Sequence, residues 1–238
     1  MDQINISMIE RWPIENVERM KSSPNLPYAT YIENKRSPDL LVYFGNYNGH
    51  ARGLTTIRSL NCNALIMRSD EASWYLQSFP HGSTPEVVAK TLDKFIDSKP
   101  HIKNVVYAGF SMGAYGALLY PTWAKRVDKI VASSPQTRFP DFPVDKKIPV
   151  IRDKFYEQYQ SIRELWEKHG SPDAEIILQA CKDRLETEGY RDYDECMDLA
   201  HFPRVTIVPY PCAGHTNIST HLLSDVDAYN NLFLYREE

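Results

Sequence analysis

The stretch Val105-Val106-Tyr107-Ala108-Gly109-Phe110-Ser111-Met112-Gly113-Ala114-Tyr115-Gly116-Ala117 decides the fold. Its first residues are β-branched and aromatic, the composition of a buried strand. The run breaks at Gly109-x-Ser111-x-Gly113 and continues in small residues that suit a closely packed helix. A strand that turns into a helix within one residue needs glycine on both sides, because a side chain at 109 or 113 collides with the neighbouring strand or helix. This is the pattern of a nucleophile elbow, which lifts the Ser111 hydroxyl clear of the sheet and sets the Met112 amide at a helix N-terminus, where free N–H groups favour an anion. The pentapeptide alone is a weak signal; its value depends on what surrounds it.

Working outward, the pattern predicts strands separated by helices. Upstream, Tyr28–Glu33 alternates, Leu40–Phe44 and Ala64–Met67 are continuous apolar runs, and Thr84-Pro85 is a helix cap followed by a face of Val88, Leu92, Phe95 and Ile96. Residues 1–24 predict an edge strand and a covering segment, with a short helical piece over Glu15–Lys21. Downstream, Ile130–Ala132 predicts a strand leading into Ser133-Ser134-Pro135-Gln136. Ile151, Phe155, Tyr159, Ile162 and Trp166 recur at helical spacing up to Gly170. Glu175–Ala180 predicts a strand running into Cys181-Lys182-Asp183, and Tyr193–Ala200 a helix. Val205–Val208 predicts the last strand, followed by Gly214-His215 and a closing helix with Ile218, Leu222, Val226, Tyr229 and Phe233 on one face. Such alternation implies an α/β fold: a mostly parallel central sheet with helices on both faces, and ligands beyond the carboxyl ends of the strands. We expect one domain over 1–238, with 138–172 at most a small cap.

Composition bounds the function. The 238 residues carry a formal charge of −4, so no basic footprint favours nucleic acid. Hydrophobic residues make up 42%, with no run long enough to span a membrane, and the N-terminus lacks the basic and apolar regions of a secretory signal. Cys62, Cys181, Cys196 and Cys212 have neither C-x-x-C nor metal-ligand spacing, and the expectation is free thiols in a cytoplasmic protein. No cofactor and no metal are expected.

The elbow, an acid after the next-to-last strand and Gly214-His215 after the last strand together resemble the serine-nucleophile α/β-hydrolases over roughly residues 40–235. The resemblance implies the order nucleophile, acid, base, met here by Ser111, Asp183 and His215. Asp192 and Asp194 are the alternative acids, with Glu186 and Glu188 weaker. His215 would take the Ser111 proton and return it to the leaving group, while the acid orients the imidazole. The resemblance puts one oxyanion donor on the Met112 amide and the other in the loop after Leu40–Phe44, where Asn46 is first choice and Tyr47 next. His50 and His81 could line a cleft. A second set, Asp70-x-x-x-Trp74-Tyr75, Ser111–Tyr115 and Ser133–Gln136, resembles a bacterial hydrolase group associated with surface polysaccharides. That likeness implies an aromatic platform of Trp74 and Tyr75 near the cleft; Tyr47 is a further candidate substrate contact.

The expected activity is hydrolysis of a carboxylic ester or thioester, with a short acyl or O-acetyl group, on a small molecule or carbohydrate. Transfer of the acyl group to another acceptor uses the same intermediate. A binding protein that has lost its chemistry is the alternative of a different class. Oligomeric state is not legible in the sequence.

Overall fold

A computed structural model describes residues 16–19, 29–45, 62–67, 74–76, 84–138, 157–183, 192–215 and 218. The strands are β1 (Asn16–Arg19), β2 (Ala29–Glu33), β3 (Asp39–Phe44), β4 (Asn63–Met67), β5 (Asn104–Phe110), β6 (Lys129–Ser133), β7 (Glu175–Asp183) and β8 (Val205–Ala213). The helices are α1 (Pro85–Asp97), α2 (Met112–Leu119), α3 (Ile162–His169) and α4 (Asp192–Met197). The strands form one sheet in the order β1-β2-β4-β3-β5-β6-β7-β8. The pairs β1–β2 and β2–β4 are antiparallel, and every later pair is parallel.

The apolar runs fill this sheet as their patterns predict. Leu40–Phe44, Asn63–Met67 and Val105–Gly109 are buried without interruption, the mark of parallel strands covered on both faces. Thr84 caps α1, its hydroxyl accepting from the Val87 amide at 3.4 Å with Pro85 next in line, and Val88, Ala89, Leu92 and Ile96 are buried beneath. The chain runs from β3 outward to β4, then returns to the other side of β3 as β5. The carboxyl ends of β3 and β5, where the order reverses, are the usual place for a ligand in such sheets.

Four expectations change. Within the helical piece expected over Glu15–Lys21, Asn16–Arg19 is a strand, pairing with β2 from Asn16 opposite Glu33 to Arg19 opposite Thr30; pairing at the sheet edge outweighs weak helical preference. Of the helix expected from Ile151, residues 151–156 lie outside the described residues; a turn at 158–160 and a bridge from Ser161 to Arg138 interrupt the rest, and α3 begins at Ile162. Ser161 accepts there from the Glu164 amide at 3.2 Å, a cap legible in Ser161-x-x-Glu164. Tyr159 precedes α3 but is buried, like Ile162, Leu165 and Trp166, so this part of the 138–172 segment packs into the core. β7 and β8 both run beyond the predicted Ala180 and Val208, to Asp183 and Ala213.

The fourth change concerns the thiols. Cys181 and Cys212 form a disulfide between β7 and β8, while Cys62 and Cys196 are buried free thiols. The pairing leaves no spacing signal because it is made by neighbouring strands whose extra length the patterns do not reveal. Burial pushes the Cys62 thiol up to about 12, with Asp39 adding to the rise, so it is inert. The bond closes a separation of 31 residues that contains Asp192. Replacing both Cys181 and Cys212 by alanine should therefore cost roughly 3–4 kcal/mol on chain-entropy grounds. A urea melt would read it as a lower midpoint.

Candidate active site

The elbow forms as the glycines require. A Cβ on Gly109 would run into the backbone of Gly113, and one on Gly113 into the Phe44 carbonyl at the end of β3. Between them Ser111 sits at φ 55°, ψ −121°, a conformation that side chains rarely adopt. It is held there from both sides. Its amide donates to the Ser133 carbonyl at 2.9 Å, and its own carbonyl accepts from the Tyr115 amide at 3.2 Å, opening α2. The hydroxyl is thereby raised at the switch point of the sheet, half-buried.

His215 arrives from the other side, one residue beyond Gly214 (φ 89°) at the end of β8. It is buried, with the Phe110 ring tilted against it at 5.4 Å between centroids. Its Nε2 lies 2.6 Å from Ser111 Oγ. Its Nδ1 lies 2.8 and 2.9 Å from the two carboxylate oxygens of Asp192. The hydroxyl, the imidazole and a buried carboxylate thus form one line across the ends of β5, β8 and α4.

The carboxylate is Asp192, not the expected Asp183. Asp183 does not leave the sheet: it is the last residue of β7, opposite Ala213, and its carbonyl accepts from the Gly214 amide at 3.2 Å. It is exposed, as is Asp194, whereas Asp192 is buried. The distinguishing signal is faint but present in the sequence. Asp192, Cys196 and Leu199 follow i, i+4, i+7 spacing and all three are buried, so this acid stands in the apolar stripe of its helix. Asp194 stands off that stripe. Asp183, at the end of a polar Cys-Lys-Asp run, has no such context.

Sequence reasoning also missed the brace on α4. Glu195, one turn along from Asp192, accepts from the Thr137 amide at 2.8 Å and from its hydroxyl at 2.6 Å. Burial pushes the Glu195 carboxyl above its ordinary range, opposed by those two bonds and by Arg138.

Met112 is the first residue of α2, as expected for an amide beside the hydroxyl. Asn46 and Tyr47 lie outside the described residues, as do His50, His81, Asp70, Glu186 and Glu188. Trp74 and Tyr75 are not an open platform. Both are buried in the core, at left-handed φ of 47° and 64°. Trp74 Nε1 donates to Gln136 Oε1 at 3.0 Å, and the Tyr75 hydroxyl donates to the Gly45 carbonyl at 2.6 Å. The Tyr75 ring meets Phe44 edge-on. Large rings whose polar tips find partners inside are more stable buried than lining a cleft. Among the other described histidines, His101 bonds Asn63 at 3.2 Å, His169 meets Trp123 and His201 meets Phe202.

No family model matches the chain, and no curated protein matches it. Solved structures do. An esterase of Pyrococcus furiosus is similar at 15% identity and a TM-score of 0.56, over 86% of this chain and 85% of that one. An α/β fold family hydrolase of Bacillus anthracis is similar at 12% identity and a TM-score of 0.59, over 92% and 99%. An arylesterase is similar at 12% identity and a TM-score of 0.63, over 97% and 91%. At such identities the likeness speaks for architecture, and it agrees with the mostly parallel sheet flanked by helices: the chain has the α/β-hydrolase fold.

Proposed function

We propose that the protein is a serine hydrolase that cleaves a carboxylic ester through an acyl-serine intermediate, with Ser111, His215 and Asp192 as its triad. The observation that carries this reading is the 2.6 Å approach of His215 Nε2 to Ser111 Oγ, continued at 2.8 Å from His215 Nδ1 to Asp192. Only one tautomer suits that line. The ring proton sits on Nδ1 and donates to the carboxylate, leaving Nε2 to accept the serine proton.

In acylation Ser111 Oγ bonds to the ester carbonyl carbon as its proton passes to Nε2. The carbonyl oxygen gathers negative charge against the Met112 amide and a second donor, for which the Asn46 amide is the choice. The C–O bond to the alcohol then breaks, and the imidazolium returns the proton to the departing oxygen. Water repeats the sequence on the acyl-serine and frees the acid. Asp192 stabilises the imidazolium formed in each half.

A short acyl group, such as acetyl, is the reading we favour, because the described part of 138–172 sends Tyr159, Ile162, Leu165 and Trp166 into the core rather than over the site. The substrate would be a small-molecule or carbohydrate ester, and the esterases among the similar structures support that class. Among the described residues no helix is long and apolar enough to cross a membrane. The Cys181–Cys212 bond runs against the reducing compartment expected from the cysteine spacing, since such compartments keep thiols reduced.

The test pairs a fluorophosphonate probe with p-nitrophenyl esters of graded chain length and acetylated sugars. The expected result is a covalent adduct on Ser111 and a kcat/KM that falls as the acyl chain lengthens. An unlabelled protein that turns over none of these esters would refute the proposal.

A further inference from the structure

The segment Ser133-Ser134-Pro135-Gln136-Thr137, at the exit of β6, bonds to no reacting atom, yet bonds run from it to Ser111, to His215 and to the helix that carries Asp192. The Ser133 carbonyl accepts from the Ser111 amide at 2.9 Å. Thr137 holds Glu195, one helical turn from Asp192, through the two bonds described above. The Ser134 hydroxyl donates to the backbone carbonyl of His215 at 3.1 Å. Ser134 has no exposed surface and a left-handed φ of 46°, although it is not glycine and precedes a proline, which disfavours any helical backbone. Its amide is anchored to the Gln179 carbonyl on β7 at 2.7 Å. Beside it the Ser133 hydroxyl donates to Gln179 Oε1 at 2.8 Å, and Gln179 Nε2 donates to the Tyr210 hydroxyl on β8 at 3.1 Å.

A buried non-glycine residue keeps such a backbone only when its surroundings over-determine it. Here the turned backbone aims the hydroxyl at the one residue whose ring must meet both Ser111 and Asp192. From this we infer that Ser134 is a positioning residue: it fixes the His215 main chain and so sets the imidazole at hydrogen-bonding range of Ser111. The inference rests on the proposed triad. His215 lies just past the end of β8, where the Gly214 amide is held by the Asp183 carbonyl at 3.2 Å. The Phe110 ring bears on one side of the imidazole, and the Ser134 bond adds a restraint on the His215 main chain itself.

The test measures kcat and KM per fluorophosphonate-titrated site in the full chain, with p-nitrophenyl acetate, for Ser134→Gly and Ser134→Ala. Both lose the hydroxyl, but glycine also relieves the left-handed backbone. The two effects on stability are of similar size and opposite sign, so the melting temperature of Ser134→Gly should stay near wild type. The expected result is a kcat per titrated site about tenfold lower in both variants, with KM within about twofold and probe labelling slowed in proportion. Ser134→Cys, which keeps a weak donor, should recover part of the loss. A merely structural role would lower the melting temperature and the titrated fraction while each titrated site worked at full rate. That outcome, or full-speed Ser134→Gly, overturns the inference and leaves the triad standing. Wild-type protein that takes up no probe overturns the triad and the inference together.

Discussion

Replacing Ser111 by alanine is expected to lower kcat by about five to six orders of magnitude while leaving the protein folded. The Ser111 hydroxyl is the only group removed. The contacts that build the elbow are made by the backbone: the amide to Ser133, the carbonyl to Tyr115, and the glycine approaches at 109 and 113. Alanine keeps them all and keeps the same φ of 55°, so the melting temperature should hardly move. What disappears is the atom that, in the proposed mechanism, bonds to the acyl carbon. The residual rate is then that of water activated in place by His215 and of the oxyanion donors, which in comparable sites still exceeds the uncatalysed reaction by about a thousandfold or more. Steady-state kinetics with p-nitrophenyl acetate, beside a circular-dichroism melt, would check both halves. A variant that melts like wild type and keeps more than about a hundredth of its kcat would exclude Ser111 as the nucleophile.

The second large effect separates two aspartates. Asp192→Asn is expected to lower kcat by about ten-thousandfold, because the amide presents N–H groups to Nδ1 as readily as an oxygen and favours the tautomer that puts the proton on Nε2, facing Ser111. It also removes the charge that stabilises the imidazolium, in a site where both partners are buried. Asp183→Asn is expected to fall within about twofold of wild type. The Asp183 backbone, not its exposed carboxylate, makes the ladder to Ala213 and accepts from Gly214, and asparagine preserves both. The two variants measured side by side form one experiment. Loss confined to Asp183→Asn would mean that the Asp192 contact is structural and that the acid is elsewhere.

The two experiments mark how far sequence patterns reach into this site. The elbow was legible because its requirement is local. Glycine at 109 and 113, a serine between them, β-branched residues before and small residues after are all within a dozen positions, and no distant contact is needed to interpret them. The last strand followed by Gly214-His215 was legible for a similar reason, since a base at that place needs only the order of elements. The acid was not. An aspartate at a strand end and an aspartate at a helix start look alike as polar residues near a boundary, and β7 gives no sign of where its pairing stops. It stops late because β8 continues beside it, bonded as far as Asp183 opposite Ala213.

By itself, then, the amino-acid order determined the apolar strands of the parallel sheet, the helix over Pro85–Asp97, the hydroxyl and the imidazole, because each rests on periodicity or on backbone demands within a few residues. Only the tertiary structure decided which carboxylate meets the imidazole, that Cys181 joins Cys212, that Trp74 and Tyr75 turn inward, and that Ser134 reaches His215. All four depend on pairings between segments tens of residues apart. There the deciding quantity is which groups can be buried with their polar atoms satisfied, a property of the assembled sheet and not of any stretch of chain.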